Sequence, residues 1–555
     1  MAIRIALAQY NATVGDLGGN AALMRQSAAA AQSKGADVVV FPEMCLCGYP
    51  PEDLLLRPQF LSDVRRTLDQ MVLSWGGPVL LVGFAEQQDG HSHNSLAVIR
   101  DGNIEAIYRK GLLPNYGVFD EKRYFTAGFE PVVIEINGCK IALSICEDIW
   151  NIDWLERFLE GREFDLIINT SASPFHAGKI RQRQDIIGRC AKHFQRPVLY
   201  CNLVGGQDEL VFDGRSMVAD AQGNILAVAK AFEPDILYAD VEAKDGKTIV
   251  SIPEQFQAGL SQQPANAVAE VYQALVLGTR DYVHKNGFGK VMIGLSGGID
   301  SALTAVIAVD ALGRENVIGV TMPSRFNSKE TQSDAQRVAG NLGIEFHSLP
   351  IEGVLKEFST VLSAVPDWNE RGIAYENLQA RIRGCLMMSL SNQLGWLVLT
   401  TGNKSETAVG YCTLYGDMAG GFAVIKDVPK TLVYQLSDYV NRIRAKEVIP
   451  QSIIRRIPSA ELRDNQKDSD SLPEYDILDA ILQRYIEQEK SPSEIIAEGF
   501  PLRTVQRVIR LVDLAEYKRR QSPPGVKITP RAFGRDRRMP ITNRYRPETS
   551  GQNGA

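Results

Sequence analysis

Two short stretches hold residue types that chemistry needs. In SICEDIW, residues 144–150, a cysteine closes an apolar run and stands directly before two carboxylates. A nucleophilic cysteine works as its thiolate, and negative neighbours raise its pKa. In IGLSGGIDS, residues 293–301, two adjacent glycines and two serines sit between the strand-like KVMIGL and the helix-like SALTAVIAVDALG. Paired glycines let a ligand approach the backbone, and the helix that follows offers free N–H groups and its positive end. Ser296 and Ser301 add hydroxyls, so the stretch Gly294, Leu295, Ser296, Gly297, Gly298, Ile299, Asp300, Ser301 reads as a cradle for a pyrophosphate-sized anion. It lacks the GK[ST] ending of a Walker loop, so γ-phosphate hydrolysis is not the natural reading.

Each half holds further candidates. Glu43 follows VVVFP, Lys110 follows IEAIYR and Cys146 follows KIALSI, and all three are expected at strand ends in one sheet layer. The three types are those of a nucleophile, a base and an oxyanion stabiliser. Singly, each has a plainer reading: a small buried thiol, a solvated turn after proline, a surface charge. In the second half, Thr401 and Glu406 lie just past the run VLTTG. Glu406 is either a second metal carboxylate facing Asp300 or a helix-capping acid. ENLQARIRG, residues 376–384, reads as an amphipathic helix whose Asn377, Arg381 and Arg383 reach phosphates, or else as a solvated face or subunit contact.

The elements that must position these residues follow from pattern. A chain of 555 residues predicts two to four domains. The first half repeats strand, loop and helix: IRIALAQY, an Ala-rich helix ending at Gly35, DVVVFPE, then the short runs VLLVGFAE, SLAVIRDG and IEAIYRKG. CKIALSICED and FDLIINTSASP are apolar runs with polar ends, as in strands covered on both faces. Near residue 241 periodicity fades and Gln, Ala and Pro accumulate, which predicts a linker over 246–264 and a helix starting near Ala265. Beyond it strands and helices alternate, the pattern of a doubly wound parallel sheet. The expected boundaries are 1–245, 246–264 and 265–555.

Composition excludes several classes. Net charge −6, with 45% apolar and 23% charged residues, places the chain among soluble globular proteins and argues against a general nucleic-acid binder. No apolar run reaches the ~20 residues a membrane span needs. Eight scattered cysteines show no zinc-ligand spacing, which points to a reducing, cytoplasmic setting and no structural metal. Six histidines, none in an H-x-E pattern, make a Cys–His–Glu glutaminase an unlikely fit. From Lys518 to Arg546 ten Lys/Arg face one acid, read either as a solvated tail or as a substrate or subunit contact.

GLSGGIDS resembles the ATP pyrophosphatase family, and with ENLQARIR, TGNKSE, TLYGDMAGGF, KTLVYQL and NQKDSDSLPEYDILDAIL the region 265–525 resembles the NAD synthetases. FPEMCLCGYP, YRKGLLPNYGVFDEKRYF and SICEDIW, across 1–245, resemble the nitrilase-superfamily amidases. The resemblance implies an αββα sandwich followed by a Rossmann-like ATP pyrophosphatase domain. It implies that the amidase takes ammonia from glutamine: Cys146 attacks, Glu43 takes the thiol proton, Lys110 and a backbone N–H hold the oxyanion, and Glu121 orients the lysine. Tyr116, Ser173 and Lys179 match glutamine-binding positions. The second half then adenylates deamido-NAD with ATP as co-substrate and amidates it. Residues 294–301, Thr401 and Lys430 match ATP contacts; Asn377, Glu406 and Lys518 match deamido-NAD contacts; Asp300 and Glu406 would hold Mg2+. Leu414 departs from the lysine often found there in ammonia-using members. A homo-oligomer is also implied. Another SGGxDS amidotransferase would lack the NQKDSDSLPEYD segment, and a nucleotide-sensing protein would have lost one of Glu43, Lys110, Cys146 or Asp300.

Overall fold

Period-two alternation with both phases apolar explains the first sheet. Along the strand Ala2–Gln9, Ile3, Ile5 and Leu7 enter one core while Ala6 and Ala8 enter another. A strand of this kind must be covered on both faces. The structure, a computed structural model, describes residues 2–244, 247–257, 266–370 and 372–545. It divides into two units, Met1–Pro264 and Ala265–Ala555.

In the first unit the strand Ala2–Gln9 lies within a seven-stranded sheet, and the strand Cys139–Ile145 within a six-stranded one. The shared core joins Ile3, Ile5 and Val38 from one sheet to Ile141, Leu143 and Ile168 from the other. Helices Leu17–Gln32 and Pro58–Leu73 cover the outer face of the first sheet, and Ile152–Phe158 and Lys179–Phe194 cover the second. The result is the αββα sandwich.

The expected linker starts too early. Lys247–Ser251 pairs antiparallel with Asp235–Lys244 at the edge of the seven-stranded sheet. Val250 is buried and Ile249 exposed, the alternation of an edge strand, which the Gln- and Pro-rich composition nearby obscures. Residues 245, 246 and 258–264 of the expected boundary region lie outside the described residues.

The second unit opens with the helix Ala267–Lys285, capped by the Asn266 side chain, which accepts the Val268 N–H. Its five-stranded sheet is parallel at every pairing. Val291–Gly294, first in sequence, sits in the middle, between Val317–Thr321 and Leu397–Thr400. The chain thus builds outward one way, returns, and builds the other way. Helices diverge at that switch point and leave a crevice at the carboxyl ends of the strands, where ligands bind in open α/β sheets.

Part of the basic tail is packed into the second unit rather than solvated. Val526, Lys527, Ile528, Thr529, Phe533 and Arg537 are buried within the second unit. Asp427 accepts the N–H groups of Ile528 and Thr529 at 2.8 and 2.7 Å, and Lys404, itself buried, donates to Thr529 Oγ1 at 2.7 Å. Charge density alone hid this, because the tail's apolar residues are spaced between its basic ones.

Candidate active site

Three strand ends meet in the first unit, but they come from two sheets. Glu43 and Lys110 follow Val38–Val40 and Asn103–Arg109 of the seven-stranded sheet, whereas Cys146 follows Cys139–Ile145 of the six-stranded one. The single-layer expectation is therefore wrong: strand order cannot be read from apolar runs alone. Glu43, Lys110 and Cys146 are at most 3% exposed, and Glu121 is 4% exposed. Lys110 Nζ donates to Glu43 Oε1 at 2.7 Å and to Glu121 Oε1 at 2.9 Å. Glu43 also accepts from Asn94 Nδ2 and from the Ala172 N–H, both at 2.8 Å, and Tyr49 donates to Glu121 at 2.9 Å.

Burial works against a charge on Lys110, but Glu121 and Glu43 outweigh it and hold the ammonium well above its ordinary pKa. Burial lifts the Glu121 carboxyl to about 7, with Lys110 opposing and Glu43 adding to the rise. The Cys146 thiol is pushed well up, first by burial and then by Glu43, against the pull of Lys110. A thiolate formed by losing its proton to water would add a negative charge to this dry cluster. Passing the proton to Glu43 leaves the total charge unchanged, so transfer inside the cluster is the cheaper route.

Cys146 has φ +44°, left-handed for a non-glycine residue, and opens the single turn Cys146–Ile149. Asp148 holds that turn. Its Oδ2 accepts from the Ile145 N–H at 2.8 Å and from Tyr108 Oη at 2.7 Å; its Oδ1 accepts from the N–H groups of Gly111 and Leu112 at 3.1 and 2.8 Å. One carboxylate therefore ties the cysteine turn to the segment that starts at Lys110. Glu147 instead accepts from Tyr116 Oη at 3.0 Å. Ser173 is buried, and Lys179 Nζ lies 4.2 Å from the Trp150 ring centroid. Burial, then the positive charge of Arg183, lowers Lys179 to about 8, with Cys146 and Glu147 opposing the fall.

In the second unit a cleft of about 340 Å³ opens at the switch point, lined by residues 294–301, Thr401, Glu406 and Lys430. Gly297 has φ +83°, and a Cβ there would lie 2.1 Å from the Thr331 carbonyl oxygen, so only glycine fits. Ser296 Oγ accepts the Gly298 N–H at 3.1 Å, and Ser301 Oγ donates to the Gly298 carbonyl at 3.0 Å. Asn403 accepts the Glu406 N–H at 3.0 Å and donates to Asp300 Oδ1 at 2.8 Å. Asn403 is thus the helix cap, which frees Glu406 for the cleft. Lys430 Nζ pairs with Asp300 and lies 3.4 Å from Glu406 Oε1. Burial raises Glu406 to about 8, with Lys430 opposing. The cation between these two carboxylates is the Lys430 ammonium; the pair is also the donor type that Mg2+ uses when phosphate and water complete its shell.

The two halves match different families. Residues 4–249 match the carbon-nitrogen hydrolase family and 271–522 the NAD synthase family. A glutamine-dependent NAD(+) synthetase of Thermotoga maritima is 47% identical, over 98% of this chain and 99% of its own. The chain belongs to the glutamine-dependent NAD+ synthetase family. The counterpart from Aquifex aeolicus is also 47% identical, over 98% of this chain and all of its own. The Acinetobacter baumannii glutamine-dependent NAD+ synthetase, solved with ADP, is 42% identical with a TM-score of 0.78, covering 99% of this chain and 100% of that one. The Cytophaga hutchinsonii glutamine-dependent NAD(+) synthetase, 22% identical with a TM-score of 0.82 over 98% of both chains, shares the fold. Membership makes the chain an ATP-dependent ligase of NAD biosynthesis. It couples glutamine hydrolysis to conversion of deamido-NAD to NAD, with AMP and pyrophosphate as products.

Against this NAD+ synthetase frame some expected residues stand apart. Asn377 accepts from Thr413 Oγ1 at 2.8 Å, and Lys518 Nζ donates to the carbonyls of Gly410 and Cys412 at 2.8 and 2.7 Å; neither lines the cleft. Arg381 is exposed and donates to the Leu414 carbonyl, while Arg383 lines the cleft. Cleft residues that sequence reasoning missed include Asp417, Arg456 and Asp468. Asp417 and Asp468 stand in the quoted TLYGD and NQKDSD runs and were detectable there; Arg456 lies just past the short helix Gln451–Arg455, without a local pattern. In the first unit Asn94, Asp148 and Arg183 were missed, because their partners are distant in sequence.

Proposed function

We propose that Cys146 Sγ attacks the side-chain carbonyl carbon of glutamine while its proton passes to Glu43. Collapse of the tetrahedral adduct expels the amide nitrogen, which takes that proton from Glu43 and leaves as NH3. Water, deprotonated by the same Glu43, then cleaves the thioester to glutamate and restores the thiol. Lys110 and the Glu147 N–H balance the oxyanion, and Glu121 holds Lys110. Tyr116, Ser173 and Lys179 orient glutamine, with Lys179 facing its α-carboxylate.

In the second unit residues 294–301, Thr401 and Lys430 bind ATP. The nicotinate carboxylate of deamido-NAD attacks the α-phosphate and expels pyrophosphate; ammonia then attacks the acyl-adenylate and expels AMP. Asp300 and Glu406 would hold Mg2+, which neutralises phosphate charge when bound. Asn377 and Lys518 brace residues 410–413 and so frame the dinucleotide side of the cleft, with Glu406 reaching it directly. We place the enzyme in the cytoplasm, with no nucleic-acid or membrane partner. A homo-oligomer formed through the second unit is supported by exposed apolar side chains on two neighbouring helices, among them Val361 and Ile373.

The observation that carries this reading is the buried Glu43–Lys110–Glu121 cluster beside a strained cysteine. Its test is Cys146→Ala, assayed with ATP and deamido-NAD under two nitrogen sources. NAD formation from glutamine should vanish while formation from ammonium persists. Retained glutamine-dependent synthesis removes Cys146 from the mechanism.

A further inference from the structure

Arg183 is fully buried, and the steps above give it no part. It stands one turn beyond Lys179 on the helix Lys179–Phe194, so the two side chains share a face. Its Nε donates to Ser173 Oγ at 3.1 Å, and Nη2 donates to the carbonyl oxygens of Ser173 and Pro174 at 3.1 and 3.4 Å. Nη1 lies 2.7 Å from Asp213 Oδ1, and Asp213 is also fully buried. A guanidinium has donors and no acceptor. Ser173 Oγ therefore accepts from Arg183, and its own proton is left for the neighbouring Tyr200 hydroxyl or for a substrate oxygen.

The rest of this turn is already held. The Ser173 N–H donates to Asn202 Oδ1 at 2.9 Å, and the Phe175 N–H donates to the Val211 carbonyl at 2.7 Å. The backbone path does not require a guanidinium, and a buried ion pair seldom adds net stability over apolar packing. Its placement against Ser173 points to substrate.

We infer that Arg183 is a positioning residue for glutamine: it locks residues 173–174 and sets the Ser173 hydroxyl as a donor toward a carboxylate or carbonyl oxygen of the substrate. This rests on the reading of Ser173 and Lys179 as glutamine contacts. The turn starts at Ala172, whose N–H binds Glu43 at 2.8 Å, so a displaced turn would also disturb the base.

Arg183→Lys keeps a charge opposite Asp213 but cannot hold the hydroxyl and both carbonyls at once. Two readouts separate positioning from general structure. One is KM and kcat for glutamine beside the ammonium-dependent rate. The other is alkylation of Cys146 by iodoacetamide, with the glutamine concentration that half-protects it. The variant should raise both KM for glutamine and the half-protecting concentration by at least about tenfold, the worth of a charge-assisted hydrogen bond. Its ammonium-dependent rate should stay within about twofold of wild type. Unchanged KM and protection overturn the inference, as does an equal loss of all activities. If Arg183→Lys does not fold, Ser173→Ala, which removes only the hydroxyl, must show the same rise, and normal protection there overturns it. Failure of the underlying reading looks different: Lys179→Ala as well as Ser173→Ala would leave both KM for glutamine and the half-protecting concentration at wild-type values.

Discussion

At the scale of single residues, the two acids after Cys146 do different work. Glu147 is tied to Tyr116, while Asp148 is a buried clamp whose pKa burial lifts to about 6 despite its hydrogen bonds. Asp148→Asn puts an amide N–H against the Ile145 N–H and leaves a buried donor unsatisfied, at about 1–3 kcal/mol. Chemical denaturation should show the loss in the first unit, with glutamine-dependent NAD formation impaired and ammonium-dependent formation spared. Lys179 gives a pH signature. With its pKa lowered to about 8, the ammonium is charged below that pH and attracts the α-carboxylate of glutamine; above it the charge is lost. KM for glutamine should rise with pH through about 8, by up to about tenfold per pH unit. A KM flat from pH 7 to 9.5 would remove Lys179 from substrate binding.

At the scale of elements, both sites sit where strands end and the backbone is forced into a turn. The phosphate cradle depends on one such turn: Gly297 packs against the Thr331 carbonyl with no room for a methyl group. Gly297→Ala must push the loop off the following helix or strain it, at about 1–3 kcal/mol locally. NAD formation should be lost with glutamine and ammonium alike, and direct titration should show ATP affinity reduced at least about tenfold. The docked tail is an element of the same unit. Through Asp427 and Thr529 it holds Lys404, the first residue of the helix that carries Glu406, so the tail braces one wall of the nucleotide cleft.

At the scale of the whole molecule, each unit closes its own core, and the two chemistries need different conditions. On the proposed reading the cleft of the second unit brings phosphate charge beside Asp300 and Glu406, and a divalent cation would offset it. The amidase cluster balances its charges with Lys110 and needs no metal for the steps derived above. Chelation by EDTA should therefore stop NAD formation from both nitrogen sources while glutamine hydrolysis continues, and added Mg2+ should restore synthesis. Loss of hydrolysis under EDTA would show that the first unit also depends on a metal.

Much of this was local and so legible in the residues themselves. The glycine pair before a helix and the polar ends of apolar runs singled out residues 294–301, Glu43, Lys110 and Cys146 as candidates, and strand–helix alternation predicted the parallel sheet of the second unit; the αββα sandwich was expected from the resemblance alone. A strand's period and a glycine's freedom are properties of neighbouring residues. What required tertiary structure was every relation between distant segments. Cys146 and Lys110 come from different sheets, and only the sandwich brings them together. Lys247–Ser251 completes a sheet edge although its composition resembles a linker. Asn377 and Lys518 brace a loop beside the cleft, and the basic tail docks through Asp427. Arg183 and Asp148 act through partners far along the chain, and such contacts leave no periodic trace. Local backbone preference is written in the sequence one turn at a time, whereas desolvation and charge pairing depend on which surfaces meet after folding.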